Sequence, residues 1–159
     1  MERSEIDFLD LEREIIHYIS QSSTWVLATA AGPHVTARTV FTVSNGVVIF
    51  FMTDKNFLKY KQLTMNPSVA LCRENYSIEG KAREIGSPMD SKNSAVSALF
   101  RQRHPLAFKR FAALKAETFF EIHPTQISIW KQTDRQTYRD TLQIIAKKAY
   151  RDQYITHTL

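Results

Sequence analysis

Residues 34–54 read HVTARTVFTVSNGVVIFFMTD, and this stretch decides the fold. Its β-branched and aromatic residues favour extended strands on both sides of the Asn45-Gly46 pair. Asn-Gly is the strongest short-range hairpin signal, because both residues tolerate a positive φ. The stretch therefore predicts two antiparallel strands, over residues 34–44 and 47–53, joined by a tight turn.

The segments around this hairpin are short strands and helices, assigned from apolar periodicity and from turn residues. The predicted helices cover residues 4–19, 54–65, 89–114 (interrupted at Pro105) and 138–150, and the other predicted strands cover residues 24–30, 68–74, 78–85, 117–122 and 126–131. Gly80, inside one of these strands, predicts a bulge or a close backbone approach. This order of elements is typical of an α+β fold in which an antiparallel barrel carries helices on its outside.

The length of 159 residues predicts a single domain spanning residues 1–159. Within it we expect an N-terminal helix inside residues 1–22 and a C-terminal helical extension over residues 136–159. No run approaches 18 apolar residues, so no membrane span is predicted, and the charged N-terminus is not that of a signal peptide. We therefore expect a cytoplasmic protein.

Composition excludes several classes of function. Hydrophobic residues make up 43% and charged residues 23% of the chain, which excludes a disordered protein. The single cysteine, Cys72, excludes a disulfide framework, and we expect it to be a small buried side chain. Four glycines without a Gly-rich phosphate loop exclude Rossmann and P-loop folds, and the five histidines show no metal-ligand spacing. The net charge of +5 is scattered along the chain, which does not favour nucleic-acid binding.

Arg38 is the most informative polar residue in the hairpin. Strand alternation places it on one face with Val40 and Thr42, and an arginine in an apolar strand is costly to bury without an anion. Thr53, at the end of the returning strand, and Lys59, at the start of the next helix, can reach the same place. The three residues predict a phosphate pocket, in which a guanidinium and an ammonium complement each other. The alternative is that Arg38 extends to solvent and Lys59 is an ordinary surface lysine.

The order of these motifs resembles that of the pyridoxamine 5′-phosphate oxidase-like family, the FMN-binding split barrels. The series runs through Arg38-Thr-Val, Asn45-Gly46, Phe51-Met-Thr53, Lys59 with Gln62-Leu63, Asn66-Pro67-Ser-Val-Ala-Leu71 and Ile78-Glu-Gly80-Lys-Ala82. The resemblance covers about a third of the chain, and Trp130 extends it more weakly. It implies an antiparallel Greek-key split β-barrel with flanking helices.

The resemblance also implies a cofactor, a set of site residues and a partner. The cofactor is FMN, bound between the two barrels of a homodimer. The residues carried over to the flavin or its phosphate are Arg38, Thr39, Val40, Met52, Thr53, Lys59, Asn75 and Trp130. Of these, Lys59 would bind the phosphate, Asn75 would reach the flavin, and Trp130 would pack over it at the dimer interface.

Two departures separate this chain from the oxidases of the family. Leu58 stands where the oxidases have an arginine directly before the phosphate lysine, so one phosphate contact is missing. Leu99 stands in the place of a tyrosine that holds the vitamin phosphate. The sequence therefore indicates a relative of the oxidase in which the cofactor residues are kept and the vitamin site is largely lost.

Two classes of function remain open at this point. The first is an FMN-dependent oxidoreductase that acts on an unidentified small molecule and needs no acid–base residue of its own. The second is a non-enzymatic flavin- or haem-binding protein on the same barrel. A nucleic-acid binder that uses the basic helices is a third and weaker candidate, and no catalytic residue is assigned.

Overall fold

The computed structural model describes residues 1–154. Its elements, in chain order, are β1 (Glu2–Ile6), α1 (Phe8–Gln21), β2 (Thr24–Ala31), β3 (His34–Asn45), β4 (Val48–Asp54), α2 (Leu58–Met65), β5 (Ser68–Arg73), β6 (Tyr76–Gly86), a short 3₁₀ turn (Ser91–Asn93), α3 (Ser94–Arg103), α4 (Pro105–Phe111), β7 (Glu117–Gln132), β8 (Thr137–Gln143) and β9 (Lys148–Tyr154). None of the helices within residues 1–154 is long and apolar enough to cross a membrane.

Strands β2 to β7 form a closed antiparallel barrel, which confirms the predicted Greek-key split barrel. Around the barrel the order is β4-β3-β2-β5-β6-β7, and β7 closes the circle by pairing with β4. The first part of β7 pairs with β4, whereas its last part, from Gln126 onward, pairs with β8 instead. The three strands β8, β9 and β1 thus extend the sheet beyond the barrel.

The hairpin predicted from Asn45-Gly46 is present, with its loop shifted by one residue. Asn45 pairs with Val48, so the two loop residues are Gly46 and Val47, and Gly46 has a φ of +59°. A positive φ at the first loop position requires a residue such as glycine. Successive residues of β3 then point to opposite faces: Val40 and Thr42 are buried, whereas Phe41 is 55% exposed.

Gly80 lies where β6 touches β7, as the sequence predicted. A Cβ atom at this position would lie 2.6 Å from the backbone oxygen of His123, and the register of the two strands shifts between Glu79 and Gly80. Only glycine allows this approach without moving the backbone. The sequence predicted two strands separated at His123-Pro124, whereas β7 runs through both residues as one strand.

The N-terminal helix is present but shorter than predicted. Residues 2–6 form β1, and α1 begins at Phe8 after Asp7, whose carboxylate accepts a hydrogen bond from the backbone N–H of Asp10 at 2.8 Å. The helix buries Leu11, Ile15 and Ile19 against the barrel, which is the apolar stripe that its spacing predicted.

The C-terminal helical extension predicted over residues 136–159 is wrong for the described part of the chain. Residues 137–143 and 148–154 are the strands β8 and β9 of a hairpin, and residues 155–159 lie outside the described residues. Leu142 and Ala149, taken as one helix face, lie directly opposite each other across the hairpin and are both fully buried. Ile145, the third member of that face, is 86% exposed in the turn.

Two buried aspartates hold the added strands together. The Asp152 carboxylate accepts hydrogen bonds from Arg3 on β1 at 2.6 Å and from Arg139 on β8 at 3.1 Å. Asp140 accepts from Arg151 at 2.7 Å and from Lys131 at 3.0 Å. Because each carboxylate is shielded from water and has two cationic partners, these contacts tie β1, β7, β8 and β9 to one another.

Candidate functional site

A cavity of about 300 Å³ opens between the outer surfaces of β3 and β4 and the helix α4. We call it the β3–β4 cavity. Five of the eight residues predicted from the sequence line it, namely Thr39, Val40, Met52, Thr53 and Lys59. The other lining residues are Phe41, Asp54, Phe57, Phe100, Ala107, Phe111, Leu114 and Glu117.

The walls of the β3–β4 cavity are mostly apolar and aromatic. Phe41 comes from the outer face of β3, Phe57 precedes α2, and Phe111 and Leu114 come from α4 and the turn after it. Phe41, Phe57, Phe111 and Leu114 are each more than 40% exposed, so this apolar surface is accessible to a ligand. Concave apolar walls of this kind suit a flat aromatic group.

One end of the cavity is polar, and Thr53 and Lys59 supply its donors. Thr53 is 2% exposed, and its hydroxyl makes only a long hydrogen bond of 3.4 Å to the backbone oxygen of Asp54. Lys59 lies in the first turn of α2, with its ammonium 4.7 Å from the centre of the Phe57 ring. No ion pair to Lys59 forms among residues 1–154, so its ammonium is available to an anion, while the Thr53 hydroxyl has only this one weak partner.

Arg38 lies beside the cavity rather than in its lining. The side chain points toward the end of the barrel interior, where Nη1 donates to the backbone oxygen of Leu27 at 3.1 Å and to the hydroxyl of Thr29 at 2.7 Å. Burial lowers the pKa of Arg38. Burial also lowers the pKa of Lys59, and the charge of Arg38 lowers it further, so the two cations share one electrostatic environment.

The hydrogen bonds of Arg38 belong to a small polar cluster around Gln62. The buried side-chain oxygen of Gln62 accepts from Thr29 at 2.6 Å and from Thr36 at 2.8 Å, and Arg38 donates to both threonine hydroxyls. The guanidinium is therefore satisfied by neutral oxygens, which explains how the strand holds it without a carboxylate. Its positive charge remains uncompensated within the described chain.

Two carboxylates of the cavity were missed in the sequence. Glu117 begins β7 and is 7% exposed, and its register partner across the sheet is Asp54. Burial raises the pKa of Glu117 to about 7, the charge of Asp54 adds to the rise, and Lys59 opposes it. The sequence signal was an acid at the start of the strand segment Glu117-Thr-Phe-Phe-Glu-Ile, which on its own does not reveal a pocket.

Asn75 and Trp130 lie together, but away from the β3–β4 cavity. The side-chain amide of Asn75, in the turn between β5 and β6, donates to the backbone oxygen of Trp130 at 2.6 Å. The backbone N–H of Trp130 donates to the backbone oxygen of Asn75 at 3.0 Å. The indole ring is 43% exposed and lies under the guanidinium of Arg139. The described chain therefore does not bring all eight predicted residues to one cavity.

An apolar sheet surface runs on from the cavity across the outer side of β3, β2 and β5. We call it the β2–β3–β5 face; its residues are Val26, Ala28, Ala30, Val35, Ala37, Thr39, Phe41, Ala70 and Cys72. Cys72, predicted to be buried, is exposed on this face. Small side chains and the absence of charge make the face flat and suitable for contact with another surface.

The cavity carries the features of a binding site, and its ionisable side chains are Asp54, Lys59 and Glu117. Its lining, as described within residues 1–154, contains no serine, cysteine or histidine. It combines aromatic walls with a hydroxyl and an ammonium at one end, and this set fits a planar apolar ring that carries an anionic tail.

Comparison with known proteins identifies the same fold. A sequence model of the pyridoxamine 5′-phosphate oxidase family matches residues 11–131. No protein of curated function matches the sequence significantly.

Three solved structures illustrate the fold similarity. HutZ from Vibrio cholerae, a heme storage protein, aligns with a TM-score of 0.61 and 18% identity over 77% of this chain and 92% of its own. A heme binding protein from Mycobacterium smegmatis gives 0.66 and 14% over 86% of this chain and 58% of its own. An FAD-binding protein from Mesorhizobium loti gives 0.59 and 10% over 96% and 99%.

Proposed function

Because this chain belongs to the pyridoxamine 5′-phosphate oxidase family, we propose that it is an FMN-binding flavoprotein, with FMN in the β3–β4 cavity. The observation that carries the proposal is the pairing of aromatic walls with the donors Thr53 and Lys59 at one end. We further propose an FMN-dependent oxidoreductase that acts on a small molecule. A cytoplasmic location is part of the proposal, since the exposed thiol of Cys72 suits a reducing compartment.

In this proposal different residues contact different parts of FMN. Lys59 and Thr53 bind the phosphate, Arg38 adds its charge from beside the cavity, and Thr39 and Val40 border the ring. When bound, FMN supplies the electron chemistry, and the chain supplies orientation and exclusion of water. Leu58, which is 47% exposed, replaces the arginine of the oxidases. Lys59 is therefore the cation of α2 that lines the cavity.

A homodimer completes the proposed site. Members of this family are commonly dimeric, and Asn75 and Trp130 do not reach the cavity of their own protomer. The β2–β3–β5 face offers an apolar surface that is continuous with the cavity through Thr39 and Phe41. We propose that this face meets its copy, so that Asn75 and Trp130 of the partner subunit border the flavin.

The second candidate is a haem-binding protein, favoured by the two heme-related structures with the same fold. Haem needs an iron ligand, and the cavity offers only the thioether of Met52 among its described lining residues. His104 is close by, with its ring 4.8 Å from that of Phe41, but its Nε2 contacts the backbone oxygen of Thr42 at 2.9 Å. Flavin absorption of the purified protein supports the first candidate, and a Soret band supports the second.

The test of the FMN proposal is a pair of titrations, with FMN and with riboflavin, on the parent protein and on Lys59→Ala. A hydrogen bond to a charged group is worth about 1.5–3 kcal/mol, so we expect FMN affinity to fall about ten- to a hundredfold. Riboflavin lacks the phosphate, and its affinity should change by less than about twofold. The FMN effect should also shrink as the salt concentration rises.

Lys61→Ala is the matched control, because Lys61 is an exposed lysine two residues along the same helix and outside the cavity. It should leave both titrations unchanged. Equal losses of FMN and riboflavin affinity in Lys59→Ala, or no loss of either, would contradict the assignment of the phosphate to Lys59.

A further inference from the structure

Glu117 and Asp54 form an unusual pair in the wall of the β3–β4 cavity. The two residues are direct register partners of the antiparallel strands β7 and β4, so their side chains lie on the same side of the sheet. Like charges in this position destabilise a sheet. Both residues line the cavity, and Glu117 is 7% exposed. A local conflict of this kind at a buried position points to a functional role.

No cation within residues 1–154 forms an ion pair with Glu117. Lys59 on α2 is the nearest cation in the cavity, and it makes no ion pair with Glu117. The backbone N–H of Lys55 donates to the backbone oxygen of Ala116, next to Glu117, but the Lys55 ammonium pairs with Glu84 of β6 at 3.3 Å. The residues that α4 contributes to the cavity are apolar. No hydrogen bond reaches the Glu117 carboxylate from residues 1–154.

Glu121 on the same strand shows what a compensated carboxylate looks like here. It is 9% exposed, nearly as buried as Glu117, but it accepts from Arg83 at 2.6 Å and contacts His123 at 3.1 Å. These partners lower the pKa of Glu121 even though its burial works against them. Glu117 lacks such partners, and burial raises its pKa to about 7. Protonation is therefore the available way to remove the charge of Glu117 near neutral pH.

We propose that Glu117 couples ligand binding to proton uptake: the cavity binds the phosphate of its flavin when Glu117 is protonated and rejects it when Glu117 is ionised. This inference rests on the proposed FMN site. With Asp54 and Glu117 both ionised, their charges balance those of Arg38 and Lys59, and a phosphate gains little on entering. With Glu117 protonated, the cavity keeps a net positive charge and the carboxyl O–H becomes a donor.

The proposal makes Glu117 a residue that determines specificity between phosphorylated and unphosphorylated flavins. At a pH above that at which Glu117 ionises, the discrimination in favour of FMN over riboflavin should fall. Riboflavin has no phosphate and brings no negative charge close to Glu117, so its binding should not cause Glu117 to take up a proton. The ligand class selected at lower pH is thus a planar heterocycle with a phosphate monoester.

The experiment compares FMN and riboflavin titrations at pH 6 and pH 8 for the parent and for Glu117→Gln. Ionisation of a group with a pKa of about 7 reduces a proton-linked affinity about tenfold between these pH values. We expect Glu117→Gln to bind FMN about tenfold more tightly than the parent at pH 8. At pH 6 the FMN affinities of the parent and of Glu117→Gln should agree within about twofold. Their riboflavin affinities should agree within about twofold at both pH values. Titration of the FMN phosphate itself affects both proteins equally.

Glu121→Gln is the matched control, since it makes the same change on the same strand outside the cavity, and it should bind FMN as the parent does. Calorimetry at pH 8 in two buffers of different ionisation enthalpy gives a second readout. The parent should take up close to one proton more per FMN than Glu117→Gln does. A gain of affinity is a result that damage to the fold does not produce.

The outcomes separate this inference from the function beneath it. If the parent and Glu117→Gln bind FMN with the same pH dependence and the same proton uptake, the role of Glu117 is overturned and the FMN site stands. If Glu117→Gln weakens FMN at both pH values, the role is likewise overturned. If neither protein binds FMN or riboflavin at either pH, the proposed function fails as well.

Discussion

Arg38 shows how a single side chain is held at the edge of the site. In the sequence, an arginine in an apolar strand indicated an anion, and the structure instead surrounds it with the oxygens of Leu27, Thr29 and Thr36. Strand alternation predicted its face correctly. The identity of its partners depends on Gln62, which arrives from α2, and contacts across two elements are not encoded in local periodicity.

Thr29 links Arg38 to Gln62 in this cluster, and we expect Thr29→Val to destabilise the protein. The substitution keeps the shape of the side chain but removes the acceptor of Arg38 and the donor to Gln62. Losing a buried hydrogen-bond partner costs about 1–3 kcal/mol of unfolding free energy. Urea denaturation measures it, with Thr64→Val as a control, because Thr64 is exposed and bonds only to the backbone oxygen of Lys61. Equal stability of the two variants would show that the cluster is not stabilising.

At the scale of elements, the C-terminal hairpin explains why one helix was predicted wrongly. Leu142, Ile145 and Ala149 fit a helical spacing. The same residues also fit a hairpin in which Leu142 pairs with Ala149 and Ile145 lies in the turn. A short apolar pattern does not distinguish these two cases. The burial of Asp140 and Asp152 depends on ion pairs with Lys131 and Arg3, respectively. These partners lie on other strands, so the local sequence does not predict that the two aspartates are buried.

The Asp152 contacts predict a loss of stability in acid. The guanidinium of Arg3 holds the pKa of Asp152 at about 2, below the value of about 3.9 for an unfolded chain. Because the folded pKa is the lower one, the stabilisation is complete above about pH 5 and is lost as the pH falls through about 2. Arg3 is half exposed and its charge is screened, so we expect Asp152→Asn to cost about 1–2 kcal/mol at pH 7.

Denaturation of Asp152→Asn and the parent at pH 7 and at pH 2.5 measures this difference, which should shrink at the lower pH. Asp10→Asn serves as the comparison, because Asp10 is exposed and its partner Arg13 is also exposed. A difference that is independent of pH would rule out the ion pairs as its source.

At the scale of the whole molecule, the barrel was predictable and the completeness of the site was not. The order of strands and turns indicates an antiparallel barrel, and the hairpin alone brings Thr39, Met52 and Thr53 together. Glu117 joins them through the pairing of β7 with β4, which is distant in sequence. Asn75 and Trp130 were assigned to the same cofactor by resemblance, and in the described chain they do not line the β3–β4 cavity.

Dimerisation through the β2–β3–β5 face is testable by adding one charge to it. Ala37 lies at the centre of the face, opposite Ala28, and Ala37→Arg should convert a dimer into a monomer in light scattering at micromolar concentration. Burying an unpaired guanidinium in an apolar interface is strongly unfavourable. The FMN affinity of Ala37→Arg should also be lower than that of the parent, because a monomer lacks the contacts of Asn75 and Trp130 of the partner subunit.

Ala146→Arg provides the control, since Ala146 is an exposed alanine in the turn between β8 and β9. It should leave the mass and the FMN affinity unchanged. A parent protein that is monomeric at micromolar concentration would refute the shared site.

The length and position of β7 have a consequence for biosynthesis. The ribosome releases β2 to β6 before β7, and until Phe120 is available to pair with Phe51 the sheet has open edges at β4 and β6. Such edges pair readily with other chains. A ribosome that pauses after β6 has left the exit tunnel, but before β7 has left it, therefore exposes a nascent chain with two unpaired edges that a chaperone can protect. Synonymous codons that slow this interval should lower the soluble yield without altering a single residue of the finished protein.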